Sequence, residues 1–160
     1  MDTLSRRWAR LEPHTTIAGP HDDRPRPAVL LFHGCGGLRG HLPKYAEVAR
    51  QAGWRAFTVD SYGPRGWSRE FAMATVCTGL LLRGWERGGD VLAALAGVSR
   101  RRDVDASKVA LAGWGHGGWG VMGAVVRSVP PPSRRSPAVA PRLALADTSS
   151  TPPLIAVPPV

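Results

Sequence analysis

The chain has 160 residues, of which 43% are hydrophobic, enough for one domain with a real core. Its formal charge is +9, from 21 Lys and Arg against 12 Asp and Glu, yet the basic residues are scattered and Arg100, Arg101 and Arg102 form the only triplet. With no nucleic-acid motif beside it, the charge reads as an arginine-rich solvated surface, so no nucleic-acid partner is expected.

Residues 8–17 mix charged and apolar positions, with an edge strand expected around 15–18. The proline-rich stretch 21–27 is a turn, because proline fixes φ and removes a donor. Residues 1–24 are therefore read as an N-terminal segment. Residues 28–32, Ala-Val-Leu-Leu-Phe, are a continuous apolar run of strand length, as expected of a strand covered on both faces. It stops at His33-Gly34-Cys35-Gly36-Gly37, whose three glycines allow a tight turn and aim amides at a ligand. Apolar positions at Tyr45, Val48, Ala49 and Ala52, followed by Gly53, predict a helix over 43–52. A second strand at 54–59 ends in the loop Asp60-Ser-Tyr-Gly-Pro-Arg-Gly66.

Residues 71–82 are apolar but poorly patterned and are read as helix. Val91, Leu92, Leu95 and Val98 mark an amphipathic helix over 83–98, weakened in its first half by Gly88 and Gly89. After a connection at 103–107, a strand at 108–112 meets a glycine-dense turn, and Trp119, Met122 and Val126 then recur at helical spacing. Alternating strands and helices predict an α/β fold, a mostly parallel sheet with helices on both faces. The strand at 28–32 should lie between those at 55–59 and 108–112, so that their glycine-rich ends converge. Beyond residue 126 the composition changes. Nine of the fifteen prolines fall between Pro130 and Pro159, and 127–160 reads as a disordered tail.

No stretch reaches the roughly 20 apolar residues of a membrane span, and the first twenty residues hold no signal-peptide core. A cytoplasmic chain without a membrane partner is expected. Cys35 and Cys77 are too few for a disulfide framework or metal cluster and are read as reduced thiols, a bridge between them being the alternative.

The turn Gly113-Trp114-Gly115-His116-Gly117 has the form Gly-x-Nuc-x-Gly, the nucleophile elbow, which holds a serine or cysteine at a strand's carboxyl end with strained backbone. Here the central residue, Gly115, has no side chain. A residue with a Cβ loses on the order of 1–3 kcal/mol in that conformation and glycine almost nothing, so the turn survives while its chemistry is deleted.

The segments His33 to Gly37, Asp60 to Gly66 and Ala112 to Gly118, each after an expected strand, together resemble the dienelactone hydrolase family of α/β-hydrolases over residues 26–126. The resemblance implies a partial α/β-hydrolase domain at 25–126 and hydrolysis of small esters or lactones by a nucleophile, a histidine and an aspartate, with no cofactor and no metal. By it Gly115 stands at the nucleophile position, and the backbone amides of Cys35 and His116 form the oxyanion hole. His33, Gly34, Gly36, Gly37 and Trp114 belong to the pocket and its loop. His33 is read as a loop anchor, Cys35 as a packed cysteine, and Trp114 and Trp119 as core or pocket wall.

In this fold the acid and then the histidine follow the nucleophile along the chain. After Gly115 the sequence holds one acid, Asp147, and one histidine, His116, fixed inside the elbow. The expectation is a truncated pseudoenzyme with impaired or absent catalysis, marginally stable because the strand at 108–112 keeps an unpaired edge. A binding module for a small molecule or protein, or a truncated gene product, is the alternative, and a nucleic-acid binder ranks below both.

Overall fold

A computed structural model describes residues 3–128. Along the chain run α1 (Leu4–Leu11), β1 (Thr15–Ala18), β2 (Arg26–Phe32), α2 (His41–Gln51), β3 (Arg55–Val59), α3 (Arg69–Thr75), α4 (Gly84–Val98), β4 (Val104–Gly113) and α5 (His116–Ser128). The sheet order is β1-β3-β2-β4, with β2 parallel to both β3 and β4, and β1 antiparallel at one edge. The apolar run expected to be central is central. Of the tail read at 127–160, all but the first two residues lie outside the described residues.

Burial follows the two-residue period of a strand. Ala28, Leu30 and Phe32 join Phe57 and Val59 under α1, α4 and α5, where Leu11, Val91, Ala94, Val98 and Ala124 close the layer. Val29, Leu31 and Ala56 face the other way, beneath Leu42 and Ala46 of α2. Each fully buried side chain of this size contributes about 1.5–3 kcal/mol, so β2, covered on both faces, is the densest source of stability.

Four features depart from the sequence expectation. Residues 4–11 form a helix, capped by Thr3 Oγ1, which accepts from the Arg6 amide at 3.2 Å. Its apolar stripe, Leu4, Trp8 and Leu11, is one-sided but spans only two turns, too short for the sequence to mark it as a helix. The helix expected over 71–82 ends at Thr75. Turns carry the chain onward, with Gly79 at φ 76° and Leu82 at φ 48°. The last strand begins at Val104 rather than 108.

The fourth departure concerns α5, whose helically spaced Trp119, Met122 and Val126 are exposed, at 61%, 57% and 69%. Its buried face is Gly117, Gly120 and Ala124. The reason is the closeness of α4, where a Cβ added to Gly88 would lie 3.0 Å from the Ala124 nitrogen, so only small residues fit between the helices. The tryptophan read as core or pocket wall at 119 is therefore a surface residue.

The arginines are not all solvated either. Arg55, 5% exposed, donates from Nε to the Asp103 carbonyl and from Nη1 to the Pro20 carbonyl, both at 2.8 Å, closing the amino ends of the parallel strands. Arg87 is wholly buried near their carboxyl ends.

Candidate functional site

Register brings the motifs together. Phe32 pairs with Val59 on one side and Gly113 on the other, so His33, Asp60 and Trp114 leave the sheet at the same end. The Trp114 amide donates to the Phe32 carbonyl at 3.1 Å, tying the elbow to the loop after β2. A Cβ on Gly34 would sit 3.3 Å from the Trp114 carbonyl oxygen, so loop and elbow are in contact.

His33 is fully buried and held at both ring nitrogens. Nε2 accepts from the Ser61 amide at 3.1 Å, so the proton sits on Nδ1, which donates to the Gly34 carbonyl at 2.7 Å. Burial, with a further push from the Arg87 charge, holds its pKa below the usual imidazole value. The Asp60 carboxylate, 3.4 Å from Nε2, therefore faces a neutral ring. Burial raises Asp60, but hydrogen bonds, among them the Tyr62 amide at 2.8 Å, outweigh it and leave the acid below its ordinary value. This is the geometry of a loop anchor.

Cys35 and Cys77 are joined in a disulfide, correcting their reading as reduced thiols. Spacing of 42 residues gave no hint of it; the turn after α3 brings Cys77 back to the loop. The Tyr62 hydroxyl donates to the Cys35 carbonyl at 3.0 Å and fixes the loop's other side. Closing a loop of that length stabilises by about 2–4 kcal/mol through the entropy of the unfolded chain. The double variant Cys35→Ala/Cys77→Ala should lose that amount in denaturant unfolding, and dithiothreitol should lower the melting temperature of the parent but not of the variant.

At the elbow Gly115 has φ 50°, in the left-handed region, and a Cβ built there meets nothing within 4 Å. Neither the Cys35 nor the His116 amide donates to any acceptor among the described residues. Both N–H groups are thus left without an acceptor there. Trp114 turns towards α2, its ring 4.8 Å from Tyr45 and 5.2 Å from His41. Gly36 and Gly37 complete the loop, Gly37 at φ 78° donating its amide to the Gly34 carbonyl at 3.1 Å.

Two residues that sequence reasoning passed over sit beside the elbow. Arg87 Nη1 lies 2.8 Å from His116 Nδ1 and the guanidinium carbon lies 5.8 Å from the Tyr62 ring centre. Leu82, with its positive φ, backs onto His116. Burial first, and then Arg87, push the His116 pKa down to about 4. Arg87 itself is lowered by burial to about 10 and keeps its charge at neutral pH. Nothing in the periodicity distinguishes Arg87 from the surface arginines. A cleft of about 660 Å³ lies to one side of the elbow, lined by Arg7, Arg65, Trp67, Leu82, Trp85 and Arg127 among others.

His33 and His116 are both depressed bases, so below pH 6.5 the unfolded chain binds more protons than the folded one. Stability is complete above about pH 6.5 and declines as pH falls from there towards about 4, the folded value of His116. The His116 share is on the order of 1–2 kcal/mol after allowing for its partial exposure. Melting curves across that window should flatten in His116→Gln.

The sequence model of the dienelactone hydrolase family matches residues 14–130. The chain belongs to that family. In fold it is similar to a protein from Klebsiella pneumoniae subsp. pneumoniae MGH 78578 assigned as a dienelactone hydrolase, with a TM-score of 0.52 and 18% identity over 65% of this chain and 45% of the other. It is also similar to a dienelactone hydrolase-like promiscuous phosphotriesterase from metagenomic libraries, with a TM-score of 0.52 and 20% identity over 72% and 49%. The chain thus spans under half the length of these two structures. No curated protein matches it in sequence. Among the described residues no helix is long and apolar enough to cross a membrane, and no group of three or more acidic, histidine or cysteine side chains is placed to hold a metal ion.

Proposed function

We propose that this chain is a pseudoenzyme of the dienelactone hydrolase family, its domain at residues 25–126 keeping the site's frame while nucleophilic hydrolysis of small esters or lactones is impaired or absent. The observation that carries this reading is Gly115, at φ 50° with open space where a nucleophile's side chain would stand. Retained backbone supports the frame: the free Cys35 and His116 amides suit an oxyanion, and such donors are worth roughly 10²–10³ in rate each, but they act only on a carbonyl that something attacks. Cys35 supplies no thiolate while bridged to Cys77. In the cytoplasm, where thiols are kept reduced, the bridge would open, so both redox forms bear on function.

The test is turnover of an activated aryl ester and of a dienelactone by the purified chain, with and without dithiothreitol. The expected rate equals that of buffer in both states. Turnover that appears only on reduction and disappears in Cys35→Ala would show a substitute thiol, and turnover in the oxidised form would reject the proposal. A second reading, a small-molecule binding module, is favoured by the cleft with its two tryptophans and three arginines. Ligand-induced stabilisation lost in Trp85→Ala would support it.

A further inference from the structure

Arg87 is buried without exposure, yet only one of its guanidinium nitrogens is engaged. Nη1 meets His116, whereas Nε and Nη2 have no hydrogen-bond partner among the described residues. Nearby carboxylates are committed. Asp90, itself buried, takes Arg65 through both oxygens at 2.9 and 3.0 Å and Arg7 at 3.3 Å, while Asp60 accepts from the Tyr62 amide. Neither carboxylate accepts a hydrogen bond from Arg87 among the described residues.

The unused pair is the side-on edge of the guanidinium, two parallel N–H groups whose natural occupant is a planar carboxylate. Elsewhere this chain fills the same edge in that way. Arg101 gives Nε and Nη2 to the two Asp103 oxygens at 2.9 and 3.0 Å, and Arg50 gives them to Glu47 at 2.7 and 2.6 Å. At Arg87 the edge is preserved and the carboxylate is missing. Another unsatisfied group lies in the same part of the molecule: Ser61 Oγ is buried without a partner among the described residues. His116 opens the thirteen-residue helix α5, whose first amide is free, and the helix dipole there favours an anion. With Nδ1 facing the Arg87 N–H, the neutral His116 ring carries its proton on Nε2, on the side of the Leu82 carbonyl.

We propose that the buried Arg87 edge, with His116 at the start of α5, is a binding site for a small free carboxylate, independent of whether the elbow hydrolyses anything. Buried donors left unpaired are costly, and a guanidinium more so, so an acceptor-only ligand that fills the edge stabilises the fold. Access to the buried edge requires movement of the neighbouring wall. Leu82 lines the large cleft, and its carbonyl lies near His116, so movement of the turns after α3 would connect the two.

Formate and acetate are the probes, exchanged for chloride at constant ionic strength while the melting temperature of the full chain is followed. Ligand binding to the folded state alone gives a logarithmic rise, about 2.7 kcal/mol at a hundred times the dissociation constant. The expected result is such a rise in the parent and none in Arg87→Met, which keeps side-chain length and removes the charge and donors. Because that variant could fail to fold, the Nε–H resonances of the parent provide a second readout. Formate should shift the Arg87 signal saturably and leave those of Arg50 and Arg101 in place. A melting temperature indifferent to both anions together with an unmoved Arg87 signal, a response retained in Arg87→Met, or equal drift at all three arginines would each overturn the proposal.

Discussion

Gly115→Ser will regain a hydroxyl at the elbow and no hydrolysis: its turnover of an activated aryl ester will stay near buffer, roughly 10⁴–10⁶ below a complete triad. A serine hydroxyl attacks only when a base takes its proton. His33 cannot serve, since its Nε2 accepts from the Ser61 amide, its Nδ1 donates to the Gly34 carbonyl and burial depresses its basicity. His116, at about 4, is a weak base whose Nδ1 already faces Arg87. His41 packs on Trp114, its ring 5.2 Å away, on the α2 side. Losses within a triad do not add, because its members act as a unit, so restoring one member recovers little. The variant should also lose about 1–3 kcal/mol of stability, since serine must hold the φ of 50° that glycine adopts freely. Strong turnover that disappears on adding His41→Ala would identify a base and contradict this account.

Gly117→Ala should be the most damaging single methyl among the described glycines. A Cβ there would sit 2.2 Å from the Phe32 carbonyl oxygen and 2.5 Å from that of His33, both backbone atoms of the central strand's end. Neither can swing aside, as a long side chain would. The helix α5 must therefore back away from β2, breaking the Trp114 to Phe32 hydrogen bond and the layer around Ala124. Overpacking a core commonly costs about 1–3 kcal/mol, and a clash with fixed backbone exceeds that, so a loss of about 4 kcal/mol or more is expected. Denaturant unfolding of the two proteins measures it. A loss under about 1 kcal/mol would mean that strand and helix are not in the contact described.

The parallel sheet was legible because β2 is apolar at every position from Ala28 to Phe32, and such a run suits only a strand covered on both faces. The elbow was legible from its glycines, and its positive φ falls on Gly115 as the motif requires. Other features depend on tertiary context. The burial of Arg87 comes from α4 and α5 packing at glycine distance, which drew a charged residue inward and put Trp119 and Met122 outside, against the helical spacing. The disulfide needed the chain to stop its helix at Thr75 and turn back. The helix α1 does carry a helical period, Leu4, Trp8 and Leu11 on one face, but at eight residues it is too short to be read apart from the Trp8 and Leu11 contacts that hold it.

The central claim is that an intact elbow carries no nucleophile. It is tested most directly by incubating the oxidised chain with an aryl fluorophosphonate, which forms a stable adduct with an activated serine, and recording the intact mass. The account predicts the unmodified mass after prolonged exposure. A stoichiometric adduct on one residue of the folded protein, absent after denaturation, would contradict it.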